Sequence, residues 1–376
     1  MIMPAGFTDR APELTVRALN RALLDRQLLT RRAGMTAEQA IEYLVGMQAQ
    51  AVNPPYVGLW TRLATFSTEE LARLLRERAV VRIALMRSTL HLVSARDCLN
   101  LSPLLADMLA RAAKGQFGKQ VEGLEPGQIA ALGSKLTEER PLTFAELGRL
   151  MAEHWPGRDP MALAQSVRNL VPLIQVPPRG YWNNSTAAAH TTATSWLGKP
   201  VEQDPSIDEY VLRYLAAFGP ASVMDMQKWS GVTRLKEAFA RLAPKLRTYR
   251  DERGTVLYDL ADIELPDPQT PAPVRYLPDF DNILLSHANR ERIMAEQYKP
   301  QVFTSNGIIR STILVDGFVQ GRWRIDRAKD LATLVVEPFA RLSKKTVTAL
   351  TEEGESLLRF AASDAQRRDL RFEPVG

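Results

Sequence analysis

The chain has 376 residues, of which 45% are hydrophobic and 24% are charged, and its formal net charge is +5. These values exclude a fibrous or wholly disordered protein, and the length predicts several small structural units rather than one core. The mild basic excess favours an anionic partner without identifying it.

The apolar segments and the cysteine and histidine content limit the cellular compartments, the disulfides and the metal sites that can be expected. Residues 1–10 lack the basic start and apolar run of a secretory signal, and no segment approaches the ~20 uncharged apolar residues of a membrane span. The single cysteine, Cys98, excludes an internal disulfide, and the four histidines show no metal-binding spacing. We therefore expect a soluble cytoplasmic protein with no membrane partner, no metal and no cofactor.

The N-terminal part of the chain is predicted to be helical and to end in a two-stranded hairpin. Helices are expected over 14–29, from 36 onward and over 68–78, with capping signals at Thr36 and Thr68. Residues 80–93 are mostly β-formers with polar interruptions, which is typical of a partly exposed hairpin. Helices followed by a hairpin predict a winged-helix module over residues 1–120.

The same order of elements is predicted twice more. Each round has three helices followed by an extended segment: 125–138, 144–154, 160–170 and 173–182, then 207–218, 222–229, 233–243 and 246–260. Gly231 suits the tight corner between the last two helices because glycine accepts a positive φ. We interpret these rounds as a second and a third winged-helix module, over 121–200 and 201–264.

The C-terminal part of the chain is predicted to be rich in β-structure. Residues 265–278 carry five prolines, which disfavour both a helix and a central strand, so this segment is predicted to be a linker. Beyond it, Asp316-Gly317 between two apolar runs predicts a two-residue hairpin, and a helix is expected over 344–362. The predicted fold is α+β and mainly helical, with tandem winged-helix (helix-turn-helix) modules and a small β-rich C-terminal module over 265–376.

Two glutamines, Gln48 and Gln50, follow the second predicted helix. Gln48 continues the apolar stripe of that helix, and burying an unpaired amide costs about 1 to 3 kcal/mol, so it needs a protein, water or substrate partner. An extended exit from the helix, favoured by Pro54 and Pro55, would point both glutamines the same way. The alternative from spacing alone is that they cap the helix end and bond neighbouring backbone.

The residues around these glutamines resemble a known family. Residues 46–50 with 58–62 are similar to the active-site region of the AlkZ and YcaQ DNA glycosylases, and 86–93, 277–282 and 314–317 are similar to later parts of those proteins. The resemblance spans nearly the whole chain. It implies tandem winged-helix units arranged as a concave scaffold that binds double-stranded DNA.

The resemblance also implies a catalytic motif of two glutamines around an apolar residue, which Gln48, Ala49 and Gln50 match. It implies hydrolysis of the glycosidic bond of alkylated guanine, including bulky or cross-linked adducts. Alkylation at N7 makes the base cationic, so it leaves as a neutral group without a strong acid. Amide oxygens can then stabilise the oxocarbenium-like sugar while the amides orient water. No lysine motif indicates a Schiff base, which favours simple hydrolysis to an abasic site.

Further site residues are predicted beside the motif and in the hairpins. The DNA-binding or lesion-pocket candidates are Asn53, Tyr56, Trp60, Arg62, Arg82, Arg87, His91, Arg179, Arg310, Arg322 and Arg324. The alternative for the aromatic residues is core packing, for each arginine a solvated surface charge, and for His91 a structural role. Asp279 and Asp281 are secondary carboxylate candidates that could instead shape a turn.

The leading hypothesis is a monomeric, monofunctional glycosylase acting on double-stranded DNA that contains alkylated purines, in DNA repair or genotoxin resistance. The main alternative is a non-enzymatic winged-helix regulator, which would be dimeric and would prefer a sequence. The glutamine pair favours catalysis because a regulator has no chemical need for it. No GxGxxG, P-loop or GxSxG pattern supports a small-molecule enzyme.

Overall fold

The computed structural model describes residues 11–375, so the expectation that residues 1–10 hold no export signal lies outside the described residues. The α-helices in this range are α1 Val16–Arg26, α2 Ala37–Tyr43, α3 Pro54–Arg62, α4 Thr68–Arg76, α5 Ala95–Phe117, α6 Pro126–Glu139, α7 Phe144–His154, α8 Pro160–Leu170, α9 Ala193–Leu197, α10 Ile207–Phe218, α11 Val223–Ser230, α12 Lys236–Leu242, α13 Lys299–Val302 and α14 Lys344–Ala361. The strands are β1 Glu13–Leu14, β2 Met47–Gln48, β3 Val80–Ala84, β4 Leu90–Ser94, β5 Leu142–Thr143, β6 Leu173–Gln175, β7 Ala189–Thr192, β8 Leu246–Asp251, β9 Val256–Leu260, β10 Arg275–Leu277, β11 Thr312–Val315, β12 Phe318–Ala328, β13 Leu331–Pro338 and β14 Arg367–Phe372.

These strands form three sheets, and the fold is α+β as predicted. Their orders are β2-β4-β3-β6-β7-β5, β10-β11-β12-β13-β14 and β1-β8-β9. Strand β3 pairs with β6, so the hairpins of the first two predicted modules share one sheet. The module boundaries at 120, 200 and 264 stay a prediction.

Local capping chemistry explains where several helices begin. Thr36 and Thr143 each accept the N3 backbone N–H while the N3 side chain bonds back, which confirms both predicted capping boxes. Ser222 caps α11 in the same way. The turn at Gly231 has φ +80°, which is the left-handed conformation expected of glycine at a helix end.

Four helices, α3, α5, α9 and α13, were missing from the sequence interpretation, and α3 and α5 are the longest of them. Helix α3 begins directly at Pro54, because proline is tolerated in the first helical turn where its missing N–H is not needed. Helix α5 runs over 23 residues and contains Pro103. Its sequence shows no distinct start beyond Ser94, whose side chain accepts the N–H of Asp97.

One prediction about strand exposure was wrong. The hairpin of β3 and β4 was expected to be partly exposed, yet every residue of both strands is buried, because they lie between β2 and β6 inside the six-stranded sheet. The segment 265–278, predicted to be a linker, also contains the short strand β10, which is compatible with the expectation that its prolines disfavour a central strand. This strand lies at an edge of its sheet and ends before Pro278, where proline costs no ladder bond.

The largest apolar cluster unites distant parts of the chain behind strand β2. It includes Met86 from the first predicted module, Trp229 from the third and Leu284 from the C-terminal part. Within the segment 277–294, Asn282 donates to the carbonyl of Gly46, which places this segment beside the exit from α2. Among the described residues, no helix combines the length and apolar composition needed to cross a membrane.

Three buried histidines make the free energy of unfolding depend on pH. Burial lowers the pKa of His91 to about 3, of His190 to about 4 and of His287 to about 3, all below the ordinary value of 6.5. Below pH 6.5 the unfolded chain binds protons that the folded chain rejects, so the free energy of unfolding falls as pH decreases.

We expect a loss of about 1.4 kcal/mol for each of these histidines between pH 7.5 and 5.5. Urea unfolding at the two pH values measures it. The exposed His154 is the control position, and His154→Gln should leave the pH dependence unchanged. Equal stability at both pH values would contradict the expectation.

Candidate active site

Gln48 lies on the short strand β2, at the edge of the six-stranded sheet. Helix α2 ends at Tyr43, and the chain leaves it in an extended form that pairs Gln48 with His91 of β4. The side chain is 7% exposed, and its Oε1 accepts a hydrogen bond of 2.8 Å from Nη2 of Arg87. The amide nitrogen has no hydrogen-bond partner among the described residues. It is not fully buried, so it faces accessible space.

Arg87 holds Gln48 to a distant part of the chain. Its guanidinium donates to Gln48, to the backbone carbonyl of Trp229 and, at 3.5 Å, to Oδ1 of Asn282. Burial lowers its pKa to about 10, so it remains a cation at neutral pH. Because a guanidinium has donors only, the atom of Gln48 that faces it must be the oxygen.

Gln50 lies two residues further along the chain and is exposed. Its Oε1 accepts the backbone N–H of Leu90 on β4 at 2.8 Å, so Gln50 bonds backbone, as the alternative expected, but it does not cap the end of α2. This contact again leaves the amide nitrogen as the free group. The loop between the two glutamines is held by Arg82, whose Nη2 donates to the carbonyl of Ala49 at 2.8 Å.

Two cavities lie beside the segment 277–282, and Gln48 lines the smaller of them. The smaller, of about 20 Å³, is lined by Gln48 with Arg62, Asp279, Asp281 and Asn282 among others, and it has room for about one water molecule. The larger is an open cleft of about 450 Å³, within the usual size range of small-molecule sites.

Pro54, Pro278 and Asp279 line both cavities, so the small cavity adjoins the cleft at these residues. Gln50 lines neither of the two. The structure therefore places Gln48, but not Gln50, in the wall of the small cavity.

The two carboxylates of the segment 277–282 have different environments. Asp281 is 6% exposed and pairs with Arg62 through two bonds of 2.8 Å. Asp279 is half-buried, and its Oδ1 accepts both the backbone N–H and the hydroxyl of Ser311 at 2.6 Å. Among the described residues no cation pairs with Asp279, so it is the carboxylate that remains open to the cavities.

Left-handed backbone conformations surround Gln48. Val45, Arg87, Ser88 and Phe280 have φ between 55° and 61°, although none is glycine. Each such residue costs about 1 to 3 kcal/mol, and such residues concentrate at functional sites where packing enforces them. At Phe280 this turn lets Asp279 and Asp281 contact different parts of the molecule.

Several predicted DNA contacts are buried instead. Tyr56 is 1% exposed and donates to the carbonyl of Gly180, and Trp60 stacks on Phe360 at 5.9 Å, which is the core-packing alternative. His91 is fully buried and neutral, so its structural alternative applies.

The arginines next to the glutamine motif are also not placed to contact DNA, contrary to the prediction. Arg62 and Arg82 are 1% and 2% exposed, and Arg87 is half-buried against Gln48. Each of these cations holds backbone or side-chain oxygens of the protein, so none is free to contact a phosphate. Their role is to hold the backbone and side chains of the site in position, and Arg62 also lines the small cavity.

The remaining candidates lie at the surface, and four of them line the larger cleft. Asn53, Arg310, Arg322 and Arg324 are the four, and Arg310 is exposed. Arg322 and Arg324 both bond Glu337, which reduces the net charge of that wall. Arg179 lies elsewhere and donates to the carbonyl of Thr186 at 3.1 Å.

Sequence reasoning missed the aromatic and polar residues Trp323, Glu337 and Ser311 of the cleft, and also its aliphatic residues Val57, Ile308 and Ile325. Trp323 lines it and is oriented by a bond from Nε1 to the carbonyl of Leu277 at 2.8 Å. Glu337 and Ser311 also line it. Strand alternation within β12 would put Trp323 on the face opposite to Arg322 and Arg324, so it gave no signal that Trp323 lines this wall.

The chain is similar to known proteins along most of its length. The profile of the DNA glycosylase AlkZ-like family matches residues 41–360. The sequence is 26% identical to an interstrand DNA cross-link repair glycosylase of Streptomyces sahachiroi, with 93% of this chain and 96% of that protein covered. It also superposes on the solved structure of Streptomyces sahachiroi DNA glycosylase AlkZ with a TM-score of 0.80 at 21% identity, covering 96% and 100% of the two chains.

Proposed function

The chain belongs to the DNA glycosylase AlkZ-like family, and from that premise we propose that it hydrolyses the N-glycosidic bond of cationic, N7-alkylated guanine in duplex DNA. The products are the free base and an abasic site. The observation that supports this best is the amide of Gln48, anchored by Arg87 and facing a water-sized cavity beside an open cleft. A DNA-reading protein needs no such cavity.

Gln48 and Gln50 are the proposed catalytic residues. Because each amide oxygen already accepts a protein N–H, the amide nitrogens are the groups presented to substrate. We assign them to holding water and the damaged nucleotide in place, which lowers the entropic part of the barrier. This revises the sequence-based expectation that the amide oxygens face the sugar.

The larger cleft is the proposed position of the damaged nucleotide. Trp323 provides an aromatic wall, and the exposed Arg310 is placed to contact a phosphate. The carboxylates of Asp279 and Glu337 are placed to offset the positive charge of the alkylated base. Arg322 and Arg324 are both bonded to Glu337 in the wall of the cleft. The cleft therefore offers cations for the anionic DNA backbone and carboxylates for the cationic base.

Cross-linked and bulky adducts are included in the proposal. One relative is named for interstrand cross-link repair, and the cleft of this chain is open rather than closed around a single base. An open site can accept a guanine whose N7 carries a large substituent. We propose that the chain acts in repair of such damage or in genotoxin resistance.

The direct test is release of 7-methylguanine from methylated duplex DNA, measured by chromatography. We expect release in the presence of EDTA, no strand cleavage without added base, and little dependence on sequence context. A duplex with a cross-link between two N7 atoms should be unhooked in the same assay. No release from simple, bulky or cross-linked adducts would contradict the proposal and favour a DNA-binding regulator.

A further inference from the structure

Asp279 stands at the junction of the two cavities, one that holds about a single water and one large enough for a nucleotide. Pro54 and Pro278 also line both cavities, but neither has a side chain that can exchange a proton. Asp279 is therefore the titratable group that the two cavities share.

The carboxylate of Asp279 has one engaged and one open oxygen. Oδ1 is held by the N–H and the hydroxyl of Ser311, both at 2.6 Å, which sets the orientation of the group. Oδ2 has no hydrogen-bond partner among residues 11–375. In contrast, both oxygens of Asp281 are taken by Arg62.

The orientation of Gln48 leaves a chemical requirement unmet. Its free amide nitrogen can donate to the oxygen of a water but cannot accept the proton that the water loses. A water attacking the sugar therefore needs a separate acceptor. Asp281 cannot serve without breaking its ion pair, and the neighbouring Asn282 and Arg62 are not bases.

We propose that Asp279 is a further catalytic residue: a water in the small cavity accepts a hydrogen bond from Nε2 of Gln48, and it donates to Oδ2 of Asp279. This inference rests on the proposed function. As the bond between C1′ and N9 breaks, its electron pair neutralises the cationic base. The water oxygen then bonds to C1′, and the water proton passes to Oδ2. The carboxylate also stabilises the positive charge that develops on the sugar.

Two substitutions separate catalysis from folding. Asp279→Asn retains an oxygen for the Ser311 contacts but removes the charge and the proton acceptor. Ser311→Ala removes the hydroxyl contact to Oδ1 but keeps the backbone N–H contact and the carboxylate. Asp267, an exposed aspartate that accepts the N–H of Gln269 in a turn, is the matched control as Asp267→Asn.

Single-turnover release of 7-methylguanine from a duplex with one lesion is the readout. We expect Asp279→Asn to be at least about 100-fold slower, with unchanged duplex binding and unfolding midpoint, because a positioned base contributes about 10²- to 10⁴-fold. Asp267→Asn should match the wild type. Ser311→Ala should be slowed by less than Asp279→Asn.

Chemical rescue tests the carboxylate itself. Asp279→Ala opens space for a small anion, and sodium formate should raise its rate in a concentration-dependent way, whereas sodium chloride at equal ionic strength should not. Wild-type rates in Asp279→Asn, or no rescue by formate, would overturn this inference while the proposed function stands. If the wild-type protein releases no base, the proposed function fails and the inference falls with it.

Discussion

Replacing Gln48 with alanine is expected to slow the release of 7-methylguanine by about 10²- to 10³-fold while duplex binding is retained. The amide nitrogen is the free polar group of the side chain, so its loss removes a preorganised donor at the proposed water site. DNA contacts come from other residues, so affinity should change little. The measurement is the single-turnover rate of base release at saturating enzyme, with duplex affinity determined by fluorescence anisotropy.

Two further variants show which atom of Gln48 matters. Gln48→Glu keeps an oxygen for Arg87 and removes the amide donor, so we expect it to be nearly as slow as Gln48→Ala. A rate equal to or above the wild type in Gln48→Glu would show that an oxygen, not the nitrogen, acts on the substrate. Gln128→Ala, on an exposed position of α6, is the control and should leave the rate unchanged.

Gln50→Ala tests the second member of the motif. We expect it to slow release as well, because it removes an exposed donor and the contact that joins the loop to Leu90. Wild-type rates in both alanine variants would remove glutamine catalysis from the proposed function.

Replacing Arg62 with alanine is expected to lower the free energy of unfolding by about 3 to 5 kcal/mol, the usual cost of leaving one partner of a buried ion pair unpaired. Arg62 and Asp281 are both almost fully buried, and the guanidinium also bonds the carbonyls of Gln27 and Gly58. The change therefore leaves the buried carboxylate of Asp281 without its cationic partner. Urea unfolding at pH 7.5 measures the effect.

Matched variants distinguish burial from charge. Arg73 pairs with Glu77 at the surface, with both side chains about half exposed, and Arg73→Ala should cost less than about 1 kcal/mol. The double variant Arg62→Met with Asp281→Leu should recover much of the stability lost in Arg62→Ala, because no charge is left unpaired. Equal losses in Arg62→Ala and Arg73→Ala would contradict the expected role of burial.

Local chemistry made most of the helices predictable from the sequence. The capping residues Thr36, Thr143 and Ser222 act on backbone groups three residues away, so their effect can be read without knowing the fold. The Asp316-Gly317 hairpin is equally local, since both residues adopt the positive φ that this turn needs. The glutamine motif was also visible, because an amide on an apolar stripe requires a partner.

Long-range contacts explain why the rest of the site was not predictable. Arg62 is 219 residues from Asp281, and Arg87 is 142 residues from Trp229. A sequence shows an arginine but not its partner, and an arginine without a known partner is expected at the surface. The same limit hid the difference between Asp279 and Asp281, which share a turn and a residue type.

The sequence by itself determined most of the helices, several of their caps, the Asp316-Gly317 turn and the presence of two amides after a helix, because these depend on residues close together in the chain. Only the tertiary structure decided which atom of each amide has no hydrogen-bond partner, which carboxylate is unpaired and which arginines are buried. Those properties depend on burial, and burying a charged or polar group is tolerable only where folding brings a partner from elsewhere in the chain.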